Sequence, residues 1–573
     1  MGKLRQRFTK QEKSWIMYDW ANSVYATNIM AAIFPILYAE LASDTGNVWF
    51  GYAVSVASLI VAVLAPILGA VGDIKGYKKR MLTAFMLIGV VFTAVMAFAG
   101  ASWQWMLVGY ILSRIGFSGS CIFYDSFLTD VTTEERMDKV SGWGYAAGYI
   151  GGSTIPFIIS IVVLMLCKYN SFSQKFSILI VSVWWLVFSI PLLINVKQVH
   201  YIEAKTSSVA KTAFRNFKMT LKDVFTNKGL LLFMLAYFFY IDGVDTIISM
   251  ATNFGSTLGL DRTGMILALV VTQVVAVPCS ILFSHLSKRF GAVRMIATAI
   301  CIYFCITIVG FTMGMMVEPS QQRFVEAFDA EIEKVELQFE NEEDQRIWEE
   351  DIVANLRENG KKLVTQPLTV REDGSLTERE YAYFYLGEDD EGLFNTVLIR
   401  LECDSNSVTE RRNAYAFSSR ELSEQVYTAI EGIRTDEEFK AEILSEEYTE
   451  SSLAAAEIAQ GLFWALAFMV GTVQGGIQAL SRSYYARLIP VERSNEFFGF
   501  FDIFGRFAAV VGPALYATCY GLTGRASYGI LSLILLFFMG GLVLLLGRKR
   551  IAETENKVRE QRRLKAAETE QQG

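Results

Sequence analysis

Ionisable side chains set inside long apolar runs are the residues of this chain best placed to do chemistry. A charge at the centre of a bilayer costs about 2.5–3.5 kcal/mol on insertion scales, so each such group implies a pathway, a proton relay or a partner. Asp19, Arg114, Asp125, Asp242, Asp245, Glu457, Asp502 and Arg506 fall within apolar runs or at their ends. Glu457 lies near the end of its run and reads as solvated. Asp19, Asn22, Ser23 and Ala26 recur at i, i+3, i+4 and i+7, which puts one polar stripe along a helix. The plainer reading of Asp19 is a local cap or pair near a helix end. Asp242 and Asp245 share a face with Ser249. Two carboxylates so close in a low dielectric do not both ionise easily, so one should titrate high and can load and release a proton near neutral pH. Asp125 follows Arg114 by eleven residues, about three turns, hence near the same face. Asp502 and Arg506 form an acid-then-base i, i+4 pair, as suited to holding a bundle together as to function. Gln474 and Gln478 share a face and offer amide donors and acceptors suited to a polar solute.

The elements that must position these groups are transmembrane helices. Apolar residues make up 52% of the 573-residue chain and charged residues 19%, below the roughly 25% charge of soluble domains. A bilayer core needs about 20 mostly apolar residues per helix. Twelve stretches qualify: roughly 15–40, 49–72, 81–101, 104–128, 141–166, 174–196, 229–256, 263–285, 292–316, 454–481, 496–520 and 525–547. The first follows a basic start but is too long for a cleavable signal and contains Asp19, so it reads as a span. With the amino terminus cytoplasmic, the inside segments carry 32 Lys and Arg and the short outside loops carry four, Lys168, Lys175, Arg262 and Arg525. That asymmetry predicts both termini inside, in the plasma membrane of a prokaryote, with residues 318–452 outside.

The fold class expected is an all-α polytopic membrane protein, two six-helix bundles with an α+β extracytoplasmic insert. The divisions are 1–196 for the first bundle, 197–228 for a basic linker, 229–317 with 453–550 for the second bundle, 318–452 for the insert and 551–573 for a charged tail. The net charge of −7 hides a split, because 318–452 alone holds 14 basic and 35 acidic residues. Within the insert, 321–358 reads as an acidic amphipathic helix, 364–371, 380–387 and 393–402 as strands, and 419–445 as one or two helices. Its acidity reads first as solubility; cation collection or partner binding is the alternative.

The loop after the second span reads Gly69-Ala-Val-Gly-Asp73-Ile-Lys-Gly76-Tyr-Lys78-Lys-Arg80. Gly69 and Gly76 permit close helix approach and a tight turn. Asp73 can accept hydrogen bonds or sit at a neighbouring helix amino terminus. Lys75, Lys78, Lys79 and Arg80 are expected at the inner surface, reaching other loops. The plainer reading is a positive-inside anchor. A weak echo, Ser284-His-Leu-Ser-Lys288-Arg289-Phe-Gly291, follows the eighth span 215 residues on, and repeated halves mark many secondary transporters.

Gly-x-x-x-Asp-x-x-Gly with following cations resembles the cytoplasmic loop signature of the major facilitator superfamily, although Ile74 and Tyr77 stand where that pattern usually has basic residues. Ser14-Trp15-Ile-Met-Tyr18-Asp19-Trp20-Ala-Asn22-Ser23-Val-Tyr25 resembles the first-span signature of the autophagy-related vacuolar effluxer-like branch of that superfamily. Ser141-Gly-Trp-Gly-Tyr-Ala-Ala-Gly148-Tyr-Ile-Gly151-Gly152, Gln474-Gly-Gly-Ile-Gln478-Ala-Leu-Ser481-Arg482-Ser483 and Phe498-Gly499-Phe-Phe-Asp502-Ile-Phe-Gly505-Arg506 agree with it. The resemblance covers the membrane body but not 318–452. It implies twelve spans and solute movement, with amino-acid export from the vacuole in the fungal members. It also implies a span-four arginine like that of proton-coupled antiporters at Arg114, although Ser118 stands where those have glycine.

The function expected is alternating-access transport of a small polar solute, coupled to protons, by a monomer in the lipid bilayer. Asp19, Asn22, Arg114, Asp125, Asp242, Asp245, Gln474, Gln478, Asp502 and Arg506 are the transport and coupling candidates, and Gly69, Asp73, Gly76, Lys78 and Arg80 the gate. The competing reading is a non-transporting receptor whose outer insert binds a ligand or partner. There is no Walker A loop, no G-x-S-x-G and no metal-ligand spacing, with two histidines in all. An enzyme, an ATP-driven pump, a cofactor and a nucleic-acid partner are therefore not expected.

Overall fold

The computed structural model describes residues 7–31, 33–41, 44–99, 102–168, 170–203, 209–260, 262–363, 382–388, 394–404, 407–439 and 446–572. Among them, ten helices are long and apolar enough to cross a membrane. They begin with Tyr77–Met96 and Trp103–Val131 and end with Val491–Thr523 and Ala526–Lys565. Ahead of these the chain is helical over Lys10–Val24, Tyr25–Ala31, Ile33–Leu41 and Asp44–Gly72.

Burial sorts the side chains of these helices as a bilayer requires. Trp15, Tyr18, Tyr25, Tyr110, Trp185, Tyr240 and Tyr485 lie fully inside, while Leu166, Phe172, Val183, Phe538, Leu545 and Leu546 face outward. An outward apolar belt is the natural partner of lipid tails and would be a liability in water. Two short π-helical turns, Tyr25–Ala31 and Gly148–Thr154, interrupt the first and fifth expected spans and pack together. Such turns are frequent where a helix must re-aim side chains.

Helices of the expected first half, 1–196, and of the expected second half, 229–317 with 453–550, meet along a few pairs. Asp44–Gly72 runs against Ser494–Thr523, and Met137–Ala147 against Arg262–Phe290 and Glu446–Leu488. Between the halves, Val209–Thr226 forms an amphipathic helix in the linker, packed on Asp44–Gly72 and Ser494–Thr523. Just before it, Ile202 pairs with Ile74 as an isolated parallel bridge, which ties the linker to the loop after Gly72.

The insert continues helices of the body without a break. Ala292–Glu333 runs 42 residues from the body into the insert, and Glu446–Leu488 runs 43 residues back. Glu318 is buried and accepts from the Ser527 amide at 2.7 Å, and Gln321 donates to the Thr257 carbonyl at 2.9 Å, so the helix is pinned as it leaves the bundle. The single amphipathic helix expected over 321–358 is not what forms. The helix stops at Glu333, an extended stretch follows, and helix resumes at Glu342–Arg346 behind the Asn341 cap. The cause lies in Val335, Leu337 and Phe339, which alternate at period two and pack on the insert core.

Three antiparallel strands follow in the order β1 (Ala382–Glu388), β2 (Phe394–Asp404) and β3 (Ser407–Ala416). The expected strands 380–387 and 393–402 correspond to β1 and β2, β3 is additional, and 364–371 lies outside the described residues. The insert has its own apolar core, in which Phe324, Phe328, Trp348, Ile352, Val426 and Ile430 are buried together. Phe328 is fully buried and stacks on Phe324 at 5.8 Å. Phe328→Ala should cost about 3–5 kcal/mol locally. Limited proteolysis of the purified protein should then cut within 318–452 at protease levels that spare the wild type, while the membrane body stays whole. Equal resistance would mean the insert does not rest on this core.

Candidate functional site

The hydrogen bonds that join the halves gather at the end carrying the basic loops, and Arg482 is at their centre. It sits near the end of Glu446–Leu488, in the second half, and is buried among residues of the first. Its Nη1 donates to Asp125 Oδ1 at 2.9 Å and its Nη2 to Asp19 Oδ2 at 3.1 Å. Its Nε donates to Ser141 Oγ at 3.0 Å, and Nη2 also reaches the Ser141 carbonyl at 3.2 Å. The guanidinium carbon lies 4.7 Å from the Trp15 ring, 5.5 Å from Tyr124 and 4.5 Å from Tyr145. A guanidinium, planar and weakly hydrated, suits such a buried and stacked site better than an ammonium.

One turn further along, Asp138 of the first half accepts from Ser483 at 2.7 Å and from Ser287 at 2.8 Å, and pairs with Arg487. Ser141 Oγ donates to the Ala479 carbonyl at 2.9 Å. The long last helix, Ile534–Gln572, adds an outer clasp: Arg559 donates to Glu134 at 2.9 Å, and Arg562 to the carbonyls of Ala486 and Ile489, both at 2.7 Å.

Asp73 makes the other junction. Its Oδ1 accepts from the Asn495 amide at 2.9 Å and from Asn495 Nδ2 at 2.8 Å, and its Oδ2 accepts from the Glu496 amide at 3.0 Å. It therefore caps the helix Ser494–Thr523, where orphan amides and the helix dipole both favour a carboxylate. Burial is the largest influence on this carboxyl and pushes it up to about 7, against the pull of the Lys78 ammonium. Lys78 is not at the inner surface, as its place in a basic run implied. It is fully buried, donating to Asp130 at 2.7 Å, to Ser494 Oγ at 3.0 Å and to the Ser126 carbonyl at 3.2 Å. Asp130 in turn accepts from the His200 amide at 2.8 Å, so the linker closes over the pair. Arg80 stays exposed, stacked on Tyr77 at 5.8 Å.

The other expected residues divide among separate surroundings. Asn22 is buried against Cys121 Sγ at 3.5 Å, and Arg114 donates to the Tyr110 hydroxyl at 2.7 Å. Asp242 and Asp245 differ in burial and in hydrogen-bond partners, and they lie in electrostatic reach of one another. Asp242 is wholly buried, with Oδ1 accepting from the Gly512 amide at 2.8 Å and Oδ2 unpartnered. Asp245 is half-buried and lies in electrostatic reach of Tyr237, Tyr145 and Tyr303. Gly512 lacks the Cβ that would sit 2.0 Å from Thr246 Oγ1 and 2.7 Å from Asp242 Oδ1, so the helix Ser494–Thr523 closes over both. Gln478 accepts from the Tyr149 hydroxyl at 3.5 Å, and Gln474 lines an apolar cavity of about 90 Å³ within the second half. Asp502 is half-buried, in electrostatic reach of Asp125, and the Arg506 side chain lies outside the described residues.

Arg482 and Asp138 were absent from the expected site. Arg482 follows the expected tenth span 454–481 directly and so reads as one of the inside cations, although Ser481-Arg482-Ser483 continues a helical run. Asp138 follows a short 3₁₀ turn and looks like an ordinary helix-start acid.

The closed end gives different demands to its two glycines. A Cβ on Gly69 would come 2.4 Å from the Asn495 carbonyl, whereas Gly76 has φ +80° and open space around it. Gly69→Val must therefore part the halves, and should cut turnover about tenfold or more, the effect of losing one buried helix contact of roughly 1.4 kcal/mol. Gly76→Val should cost only the left-handed strain of about 1–2 kcal/mol, mostly as lowered melting temperature. Turnover in reconstituted vesicles at equal protein abundance checks both; wild-type rates in both would leave this loop no part in closure.

A family model described as Vacuole effluxer Atg22 like matches residues 48–324 and 460–556. An uncharacterized MFS-type transporter, YxiO of Bacillus subtilis, is 34% identical over 554 residues, 94% of this chain and 95% of that protein. Autophagy-related protein 22 of Coccidioides immitis is 22% identical over 424 residues, 52% of this chain and 69% of that one. A bacterial homologue of the iron transporter ferroportin, solved in an outward-facing state, aligns at 11% identity with a TM-score of 0.48, covering 96% of this chain and 98% of its own.

Proposed function

We propose that this chain, which belongs to the Atg22-like vacuole effluxer family of the MFS-type transporters, moves a small polar solute across the membrane by alternating access, coupled to protons and in the export direction. The proposal includes twelve spans in two six-helix bundles, with residues 318–452 as an α+β domain outside and both termini inside; ten described helices long and apolar enough to cross a membrane support it. The observation that supports it best is the junction at Arg482. One buried guanidinium of the second half is held by Asp19 and Asp125 of the first. Among the contacts around it are ion pairs and hydrogen bonds as well as aromatic faces. The ion pairs and hydrogen bonds can be exchanged for water when the halves rock, whereas a large apolar seam would resist separation. Asp138 with Arg487, and Asp73 with the Asn495 and Glu496 amides, repeat the pattern. The end bearing the basic loops is shut by these contacts.

Amino acids are the solute class that the resemblance to the vacuolar effluxer-like branch implies, and Asp245, half-buried towards the tyrosines, is the proton carrier we assign. Asp245→Asn should abolish accumulation driven by a pH gradient in proteoliposomes, yet leave solute exchange measurable, because rocking survives while the proton is no longer linked to it. Asp19→Asn and Asp242→Asn serve as comparisons. If all three variants still concentrate solute under the gradient, these carboxylates are not the coupling site. If the wild type ignores the gradient, it is a uniporter or uses another ion.

Gln425 is exposed on the insert helix Arg420–Thr435. In a background lacking the seven native cysteines, Gln425→Cys should react with an impermeant maleimide on intact cells. Reaction only after permeabilisation would invert the topology.

A further inference from the structure

The cage around Arg482 holds more than a latch needs. A latch works with one carboxylate; this one presents two, at 2.9 and 3.1 Å, a hydroxyl and a carbonyl of Ser141, and the faces of Trp15, Tyr124 and Tyr145. Every one of these groups belongs to the first half, and the cation alone belongs to the second. When the halves part, the cage stays whole, loses its guanidinium and opens towards the side of the basic loops. It is then a doubly negative pocket walled by aromatic faces, the arrangement that binds guanidinium and ammonium groups through charge-assisted hydrogen bonds and cation–π contact.

Two further details fit an exchangeable cation. A Cβ on Gly144 would stand 2.3 Å from Asp19 Oδ2 and 3.1 Å from Arg482 Nη2, so the helix backbone is pared to glycine where the cation enters. The Tyr124 hydroxyl is buried beside Asp19 yet makes no hydrogen bond of good geometry, a polar group left over by the present occupant. Beyond the cage, Tyr145 lies in electrostatic reach of Asp245, and Asp125 of Asp502, so further carboxylates continue towards the centre.

We infer that the cage of Asp19, Asp125, Ser141, Trp15, Tyr124 and Tyr145 is a binding site for the guanidinium or primary ammonium of a cationic solute, with Arg482 as its tethered competitor. The assignment rests on the transporter reading and names its solute class. Closure drives Arg482 back into the cage and displaces the solute's cationic group, so the solute cannot return by the face it entered.

The test uses purified full-length protein and two readouts. Arg482→Ala empties the cage without touching its walls. L-arginine and methylguanidinium should then raise the melting temperature at concentrations where L-alanine, L-glutamate and sodium chloride of equal ionic strength do not. Adding Asp19→Asn should weaken the half-maximal concentration about tenfold, the worth of one charge-assisted hydrogen bond. Wild-type protein should need more L-arginine than the variant, because the tethered guanidinium competes. If Arg482→Ala does not fold, Arg482→Lys replaces it, since its compact ammonium leaves the fork unfilled and competes less well. A variant that melts alike in all solutes, or a shift that survives Asp19→Asn, overturns the site. Wild-type proteoliposomes separate the two readings. Exchange of L-arginine supports the assignment. Exchange of a neutral amino acid that L-arginine neither joins nor inhibits overturns it and leaves the transporter standing. Vesicles that exchange no solute overturn the transporter reading on which the assignment rests.

Discussion

One buried cation shared between two bundles governs the arrangement of this protein. Arg482 brings a full charge out of water, and its desolvation is offset only while Asp19, Asp125 and Ser141 are all within reach. That requirement fixes the spacing of the halves at one end. Removing one partner of such a pair typically costs about 3–5 kcal/mol, because the remaining charge is stranded. The glycines at the seam, Gly69 against Asn495 and Gly142 against Ser284, follow from the same need for backbones to come close enough for short side chains to bond. Around the pair, Asp73 and Lys78 repeat the theme with a helix amino terminus in place of a second ion.

These junctions are costly to bury and cheap to rewet. Ion pairs and amide caps lose little when water replaces the partner, whereas the cores of each half would lose their apolar burial. Rigid bundles joined by polar contacts are what rocking requires. The linker takes part in closure rather than merely spanning the gap. Asp130, which holds Lys78, also receives the His200 amide, and Asp223 pairs with Arg493 at 2.6 Å beside the capped helix.

The spans and their order were legible in hydropathy, because burial in lipid demands long unbroken apolar runs, and ten of the twelve expected stretches recur as described helices long and apolar enough to cross a membrane. Asp19 and Asp125 could be picked out because charge is conspicuous in such runs. Their partner could not, since Arg482 is separated from Asp19 by 463 residues and lies at a helix end where cations are commonplace. Lys78 was misplaced for a related reason: positive-inside statistics describe a loop as a whole, and one cation among the four is fully buried. The two aspartates of the span-seven pair could be placed on a helix, but the closer cover of Asp242 could not be read, because it depends on a glycine of another helix, Gly512. The helix break at Lys334 was present in the alternation of Val335, Leu337 and Phe339, overshadowed by the acidic residues between them.

The unbroken passage of Ala292–Glu333 out of the bundle has a mechanical consequence. At about 1.5 Å per residue, a helix of 42 residues is roughly 63 Å long, twice the thickness of a bilayer core of about 30 Å. Its far half is a lever arm whose short end lies among the second-half helices. Glu446–Leu488, the return arm, carries Arg482 at its opposite end. A tilt of the second half of about 10° sweeps the tip of such an arm through roughly 5 Å, over a pivot distance of about 30 Å. The two arms thus join the insert to the second-half helices by continuous helix, and one of them ends at the guanidinium.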